Sequence, residues 1–151
     1  MGDFFRFEED FVASLRCIPM QVRFKLDTCG VKLKLHQWNT FNADDRLQLV
    51  ARSCDRPEEI QAYRDFLQAL ILERSGEVAS LLTIDPNPPW LDAATVPASV
   101  MDKIRDVGKT LDPQQWSTLN PLQRFALIKL SRSGHENNNF RPALEEFGLV
   151  G

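Results

Sequence analysis

The sequence predicts an all-α fold: a helical bundle built from two tandem three-helix repeats related by a pseudo-two-fold axis. Residues 18–53 align without a gap on residues 96–131, and 12 of these 36 positions are identical. Proline and glycine recur at the two ends of one predicted helix in both copies, and apolar residues recur at helical spacing. No stretch shows the period-2 alternation that is typical of a half-buried strand.

Three pairs of identical residues mark the helix boundaries in both repeats: a proline in the first turn, a glycine just beyond the helix end and an asparagine N-cap on the next helix. They are Pro19 and Pro97, Gly30 and Gly108, and Asn42 and Asn120. A short turn bearing Trp38 or Trp116 lies between the two helices, and both indoles are predicted to be core side chains. The predicted buried stripe of the second helix is Leu47, Val50, Ala51 and Cys54.

A third helix closes each repeat, because residues 63–72 fall on residues 140–149 after one deletion. In the first repeat this helix is predicted to continue through Gly76, with Val78, Leu81 and Leu82 on its apolar stripe. Repeat 1 spans about residues 16–74, a proline-rich connector about 85–90, and repeat 2 about 94–151. Residues 1–151 are predicted to form a single domain, since half of this length is marginal alone.

The N-terminal segment has large apolar residues at helical spacing, and it is predicted to pack on the bundle. These residues are Phe4, Phe7, Phe11 and Leu15.

Composition narrows the class of protein. The chain has 43% apolar and 26% charged residues, a formal net charge of −3 and a sequence pI of about 5.4, which argues against general nucleic-acid binding. No apolar run is long enough to span a bilayer, and the N-terminus does not resemble a signal peptide, so we expect a cytoplasmic protein. Three cysteines without a secretory context are expected to stay reduced.

The first repeat carries extra positive charge. Residues 16–36 contain five Lys or Arg and one acid, a formal +4, whereas the aligned residues 94–114 contain three bases and three acids. A basic face on an otherwise acidic protein predicts a partner-binding surface, although a solvated helix face would show the same pattern. The predicted face consists of Arg16, Arg23, Lys32, Lys34 and His36. Lys34 also stands where the other copy has the good helix cap Asp112.

No catalytic residues, metal-ligand spacing or cofactor motif are found. The cations shared by both repeats, which are Lys25 and Lys103 with Arg46 and Arg124, are expected to bond carbonyls at helix ends, with anion binding as the alternative. The cysteines are predicted to be small buried hydrophobes. The alternative is a small-molecule or redox sensor that uses Cys17 and Cys29, or a pocket between the repeats.

Two stretches resemble the nitrate reductase associated protein family, found chiefly in cyanobacteria. Residues 7–38, FEEDFVASLRCIPMQVRFKLDTCGVKLKLHQW, resemble its opening, and LDPQQWSTLNPLQRFALIKL in the second half resembles the same family. The resemblance implies a soluble, non-catalytic accessory protein of assimilatory nitrate reductase, linked to molybdenum-cofactor genes and needed for reductase activity. It implies the reductase catalytic subunit as partner and only an indirect link to molybdopterin. It supplies no ligand or catalytic residue.

Overall fold

The chain is predominantly helical. The computed structural model describes residues 5–8, 17–132 and 137–149, with only the backbone of residues 137 and 138. Contacts divide these residues into two compact units. The first unit contains residues 17–84, and the second contains residues 5–8, 85–132 and 137–149. The predicted single domain stays a prediction.

The first unit contains four helices and a small sheet. They are α1 (Met20–Cys29), β1 (Val31–Lys32), α2 (Leu35–Trp38), α3 (Ala43–Ala51), α4 (Pro57–Ser75) and β2 (Ser80–Leu81). The two strands are antiparallel, and Val31 lies opposite Leu81 while Lys32 lies opposite Ser80. The core is formed by side chains from every helix of the unit, with Trp38, Leu49, Leu67 and Ile71 fully buried.

The second unit contains four further helices and two short 3-10 turns. They are the turns Arg6–Glu8 and Pro89–Leu91, and helices α5 (Ala98–Asp106), α6 (Pro113–Ser117), α7 (Pro121–Arg132) and α8 (Asn137–Glu146). Its buried side chains include Ile104, Trp116, Phe125 and Phe140. The turn Arg6–Glu8 packs on α8, whereas Phe4, Phe11 and Leu15 of the predicted N-terminal segment lie outside the described residues.

Most predicted boundaries in the aligned region are confirmed. Helices α5, α6 and α7 begin 78 residues after α1, α2 and α3. The Asn42 side chain accepts a hydrogen bond from the Asp45 amide, and the Asn120 side chain accepts one from the Gln123 amide, each at 2.8 Å. Both tryptophans are fully buried, as predicted.

The all-α prediction is wrong at the short sheet. Gly30 ends α1 with φ of 76°, and Gly76 ends α4 with the same φ. Both reversals use the left-handed region that glycine enters at little cost. The chain beyond Gly76 therefore returns as β2 beside β1, instead of continuing α4, and two-residue strands are too short to show a period.

Two predicted apolar stripes are also corrected. Beyond Gly76 the side chains of Val78 and Leu81 are 83% and 65% exposed, because they belong to the returning chain and not to a helix. In α3, Leu47 is 48% exposed and the adjacent Leu49 is fully buried. The helix is rotated so that Asp45, Leu49 and Val50 face inward.

Gly30 also allows a close approach of side chains. A Cβ atom at this position would lie 2.7 Å from Cγ1 of Ile84 and 3.0 Å from Nη2 of Arg64. The Leu82 amide donates to the Gly30 carbonyl at 2.8 Å, and Arg64 Nε donates to the Cys29 carbonyl at 2.8 Å. The returning chain is thereby held against the end of α1.

We expect Gly30→Ala to destabilise the protein more than Gly76→Ala. Both substitutions force alanine into the left-handed region, at about 1–2 kcal/mol. Only Gly30 adds a steric clash, which raises the cost by about 1–3 kcal/mol, since no atom lies within 4 Å of a Cβ at Gly76. Urea unfolding of the two variants measures the difference in the free energy of unfolding. Equal losses would show that Ile84 and Arg64 do not constrain this site.

Candidate partner-binding surface

Three of the five predicted basic residues lie on one short, exposed stretch of the first unit. Lys32 is in β1, Lys34 precedes α2 as its N-cap, and His36 lies within α2. All three side chains are exposed. Neither Lys32 nor Lys34 forms an ion pair within the part of the chain that the structure describes. Their charges therefore face solvent.

The other two predicted residues are placed differently. Arg23 is half-buried on α1, and its Nε donates to the carbonyl of Ile18 at 3.1 Å. This bond ties the residues before α1 to its first turns. Arg16 lies outside the described residues.

A carboxylate that sequence reasoning missed lies beside the basic stretch. Oε1 of Glu77 is 2.9 Å from Nε2 of His36 and accepts a hydrogen bond from Nε2 of Gln37 at 2.8 Å. The bond from Gln37 lowers the pKa of Glu77 most, followed by the bond to His36 and the nearby positive charges. The side chain is therefore ionised at neutral pH, and it offsets part of the basic charge. The residue is brought here by the reversal at Gly76.

Exposed apolar side chains adjoin these charges. Leu35 is 56% exposed and precedes His36, while Val78 is 83% exposed and follows Glu77. We call the set Lys32, Lys34, Leu35, His36, Glu77 and Val78 the candidate surface. Apolar groups surrounded by charged ones are typical of protein-binding surfaces.

An ion pair between a buried carboxylate and a partly exposed guanidinium fixes the end of α4 beside this surface. Arg74 contacts Asp45 in two places, Nε to Oδ2 at 2.8 Å and Nη2 to Oδ1 at 3.2 Å. Asp45 is buried and also accepts a bond from the Asn42 amide. The hydrogen bond from Arg74 is the main reason why the pKa of Asp45 lies below its usual value. This pairing links the first turn of α3 to the last turn of α4.

Three of the four shared cations bond carbonyls, as predicted, and the fourth bonds none in the described part of the chain. Nζ of Lys25 donates to the carbonyls of Val50 and Arg52, at 2.7 Å each, at the end of α3. Arg46 donates to the carbonyl of Trp38 at 3.2 Å, and Arg124 donates to that of Trp116 at 3.3 Å. Lys103, the counterpart of Lys25, forms no hydrogen bond to any residue the structure describes.

Local capping differs between the two aligned segments, as the sequence predicts. The Asp112 side chain accepts bonds from the amides of Gln114 and Gln115, at 2.8 and 3.0 Å. The Lys34 side chain gives α2 no such cap, and only the reverse bond, from the Lys34 amide to Oε1 of Gln37, is made.

Two of the three cysteines belong to the core of the first unit. Cys29 and Cys54 are buried. Burial raises the pKa of Cys29 and raises that of Cys54 to about 12. Both are therefore protonated thiols at neutral pH. Cys17 is half-buried, at the other end of α1.

Helix α1 separates the two cysteines of the alternative redox site. Ten residues of helix span roughly 13 Å at 1.5 Å per residue, and the bond from Arg23 holds Ile18 at the N-terminal end. A disulfide needs Cα atoms within about 7 Å. Cys17 and Cys29 therefore cannot join while α1 is intact. Nowhere in residues 5–8, 17–132 and 137–149 do three His, Cys, Asp or Glu side chains form a group that could hold a metal ion.

The fold and this surface define a small, mostly helical protein with an exposed, mixed basic and apolar face. The chain belongs to the family of conserved nitrate reductase-associated proteins, because the family model matches residues 4–147, nearly the whole chain. No curated protein and no solved structure matches it. None of the described helices has the length and apolar character needed to cross a membrane.

We expect Lys25→Met to lower the free energy of unfolding by about 1–3 kcal/mol, because two carbonyls at the end of α3 lose their donor. Lys103→Met is the matched control at the aligned position, and it is expected to change stability by less than about 0.5 kcal/mol. Urea unfolding measures both. An equal effect at the two positions would contradict the capping role of Lys25.

Alkylation of the native protein is expected to modify Cys17 alone, because burial protects Cys29 and Cys54 and keeps them protonated. Iodoacetamide at pH 8 followed by mass spectrometry counts the modified thiols. The same reaction in denaturant should modify all three cysteines. Rapid native modification of Cys29 would instead favour the redox-sensor alternative.

Proposed function

We propose that this protein is a non-catalytic accessory factor that binds the catalytic subunit of nitrate reductase in the cytoplasm. It supports the activity of the reductase or the maturation of its molybdenum cofactor. The family assignment, which covers residues 4–147, is the observation that carries this proposal. The protein has no cofactor of its own in this proposal, and its link to molybdopterin is through the reductase.

The candidate surface has the chemistry that such docking requires. Lys32 and Lys34 supply exposed positive charge, which attracts an acidic partner surface and orients it during encounter. Leu35 and Val78 supply apolar area that only a partner can remove from water. Glu77, held by His36 and Gln37, adds an acceptor at a fixed position.

The proposal also explains why the basic residues lie in one copy only. We propose that the two units are copies of one ancestral three-helix unit, related by a pseudo-two-fold axis. The matching helix starts, the two buried tryptophans and the carbonyl contacts of Arg46 and Arg124 support this origin. After duplication, the first copy gained the partner-binding residues, and the second kept the ordinary helix cap at Asp112.

Charge reversal provides the test. We expect the double variant Lys32→Glu, Lys34→Glu to bind purified nitrate reductase catalytic subunit roughly 10-fold more weakly, a loss of about 1.4 kcal/mol. The remaining affinity should depend less on salt, because the steering charges are gone. Biolayer interferometry at two salt concentrations measures both quantities.

The matched control is Lys103→Glu, Lys109→Glu in the second unit, which changes the net charge equally. It should bind the reductase like the wild type. Equal weakening by both double variants would show a net-charge effect and would remove the candidate surface from the proposal. A wild-type protein that does not bind the reductase would overturn the proposed function itself.

A further inference from the structure

A groove beside the candidate surface is open in the first unit. It has a volume of about 320 Å³ and lies between the C-terminal half of α4 and the chain that returns from Gly76. Gln68, Ala69, Leu72, Val78 and Ala79 line it. Leu72 is 53% exposed and Val78 is 83% exposed, so two large apolar side chains border an unfilled space.

The aligned helix face in the second unit shows what such a face accepts. Gln68 and Ala69 of α4 align with Glu145 and Glu146 of α8. There the turn Arg6–Glu8 lies against α8, and the Phe7 amide donates to Oε1 of Glu146 at 3.0 Å. Phe7 lines a cleft together with Glu145 and Glu146. A short aromatic turn is therefore the occupant of this face where the structure shows one.

Aromatic rings also contact each other at Phe147, the residue that follows α8. The ring centroids of Phe5 and Phe7 lie 5.1 and 6.2 Å from that of Phe147, both with edge-to-face geometry. Phe5 and Phe7 stack on each other at 5.3 Å. Two aromatic side chains, separated by one residue, thus form one apolar surface at the C-terminal end of α8.

Lys32 places a positive charge at one edge of the groove, while the carboxylate of Glu77, which precedes Val78, is held by His36 and Gln37. Lys32 lies opposite Ser80 in the sheet, and Ser80 follows Ala79 of the groove. Opposed residues in an antiparallel pair are about 5 Å apart between Cα atoms, so the Lys32 ammonium can reach a carboxylate at the groove's edge. Lys32 has no ionic partner in the described part of the chain.

We propose that this groove binds a short segment of the partner protein that carries closely spaced aromatic side chains flanked by carboxylates. The aromatic group fills the space between Leu72 and Val78, and a carboxylate pairs with Lys32. The inference rests on the proposed partner-binding function and specifies the chemistry of the segment that is bound.

The test uses a synthetic peptide, DFFRFEED, which copies residues 3–10 of this chain and has the required chemistry. Added to the ¹⁵N-labelled full-length protein, it should shift the amide signals of Leu72, Val78 and Ala79. Val78→Asp should raise the dissociation constant at least 10-fold, and so should replacement of the three peptide phenylalanines by serine. Higher salt should weaken the complex.

Leu47→Asp is the matched control, because Leu47 is an exposed leucine of the first unit outside the groove. Its affinity for the peptide should equal that of the wild type. Unchanged binding by Val78→Asp, or shifts confined to Glu146 and Phe147, would overturn the proposal. So would sedimentation that shows Val78-dependent self-association, because a second copy would then be the occupant.

This experiment contains no reductase, so its failure is separate from that of the proposed function. One result is that the charge-reversed variant Lys32→Glu, Lys34→Glu loses reductase binding while the wild-type groove does not bind the peptide. That result would retain the proposed function and reject this inference. Peptide binding without any reductase binding would reject the proposed function and retain the peptide-binding groove.

Discussion

The backbone reversal at Gly30 is the constraint on which the first unit's surface depends. Its positive φ ends α1 and directs Val31 and Lys32 into β1. Its missing side chain lets Ile84 and Arg64 approach within a distance that a Cβ atom would not permit. Because the Gly30 carbonyl also accepts the Leu82 amide, the same residue joins the two strands at one end of the short sheet. The position of Lys32 follows from this turn, and the reversal at Gly76 then places Glu77 and Val78.

Polar contacts between helices then support the surface, and Asp45 is the buried group among them. Arg74 and Asp45 join the ends of α4 and α3, while Lys25 closes the other end of α3. Such groups are costly to bury unless they are hydrogen-bonded, so each pairing favours one arrangement of the helices over its alternatives. The Nε atom of Arg46 is buried and has no hydrogen-bond partner among the residues that the structure describes. We have no physical account of that atom.

The sequence alone predicted those features that depend on neighbouring residues. Helix ends at Gly30 and Gly108, the caps at Asn42 and Asn120, and the buried tryptophans all follow from local stereochemistry or from agreement of two copies. The sheet could not be predicted, because its strands are two residues long and about 50 residues apart. The reversal at Gly76 carries Glu77 and Val78 to the surface. Neither surface position was predicted from the sequence, because the predicted apolar stripe of the helix extended past Gly76. Three of the five predicted basic residues share the resulting surface.

Differences between the aligned units indicate that the first unit has fewer stabilising contacts in one region. Lys34 gives α2 no side-chain cap, whereas Asp112 caps α6 twice. Leu72 and Val78 are exposed around a groove, whereas Phe7 contacts the aligned part of α8 through the bond from its amide to Glu146. These differences fall on the turn after Gly30 and on the chain after Gly76. Local rules that are broken together in one place fit the proposed partner binding, because a partner can restore the contacts that the isolated fold lacks.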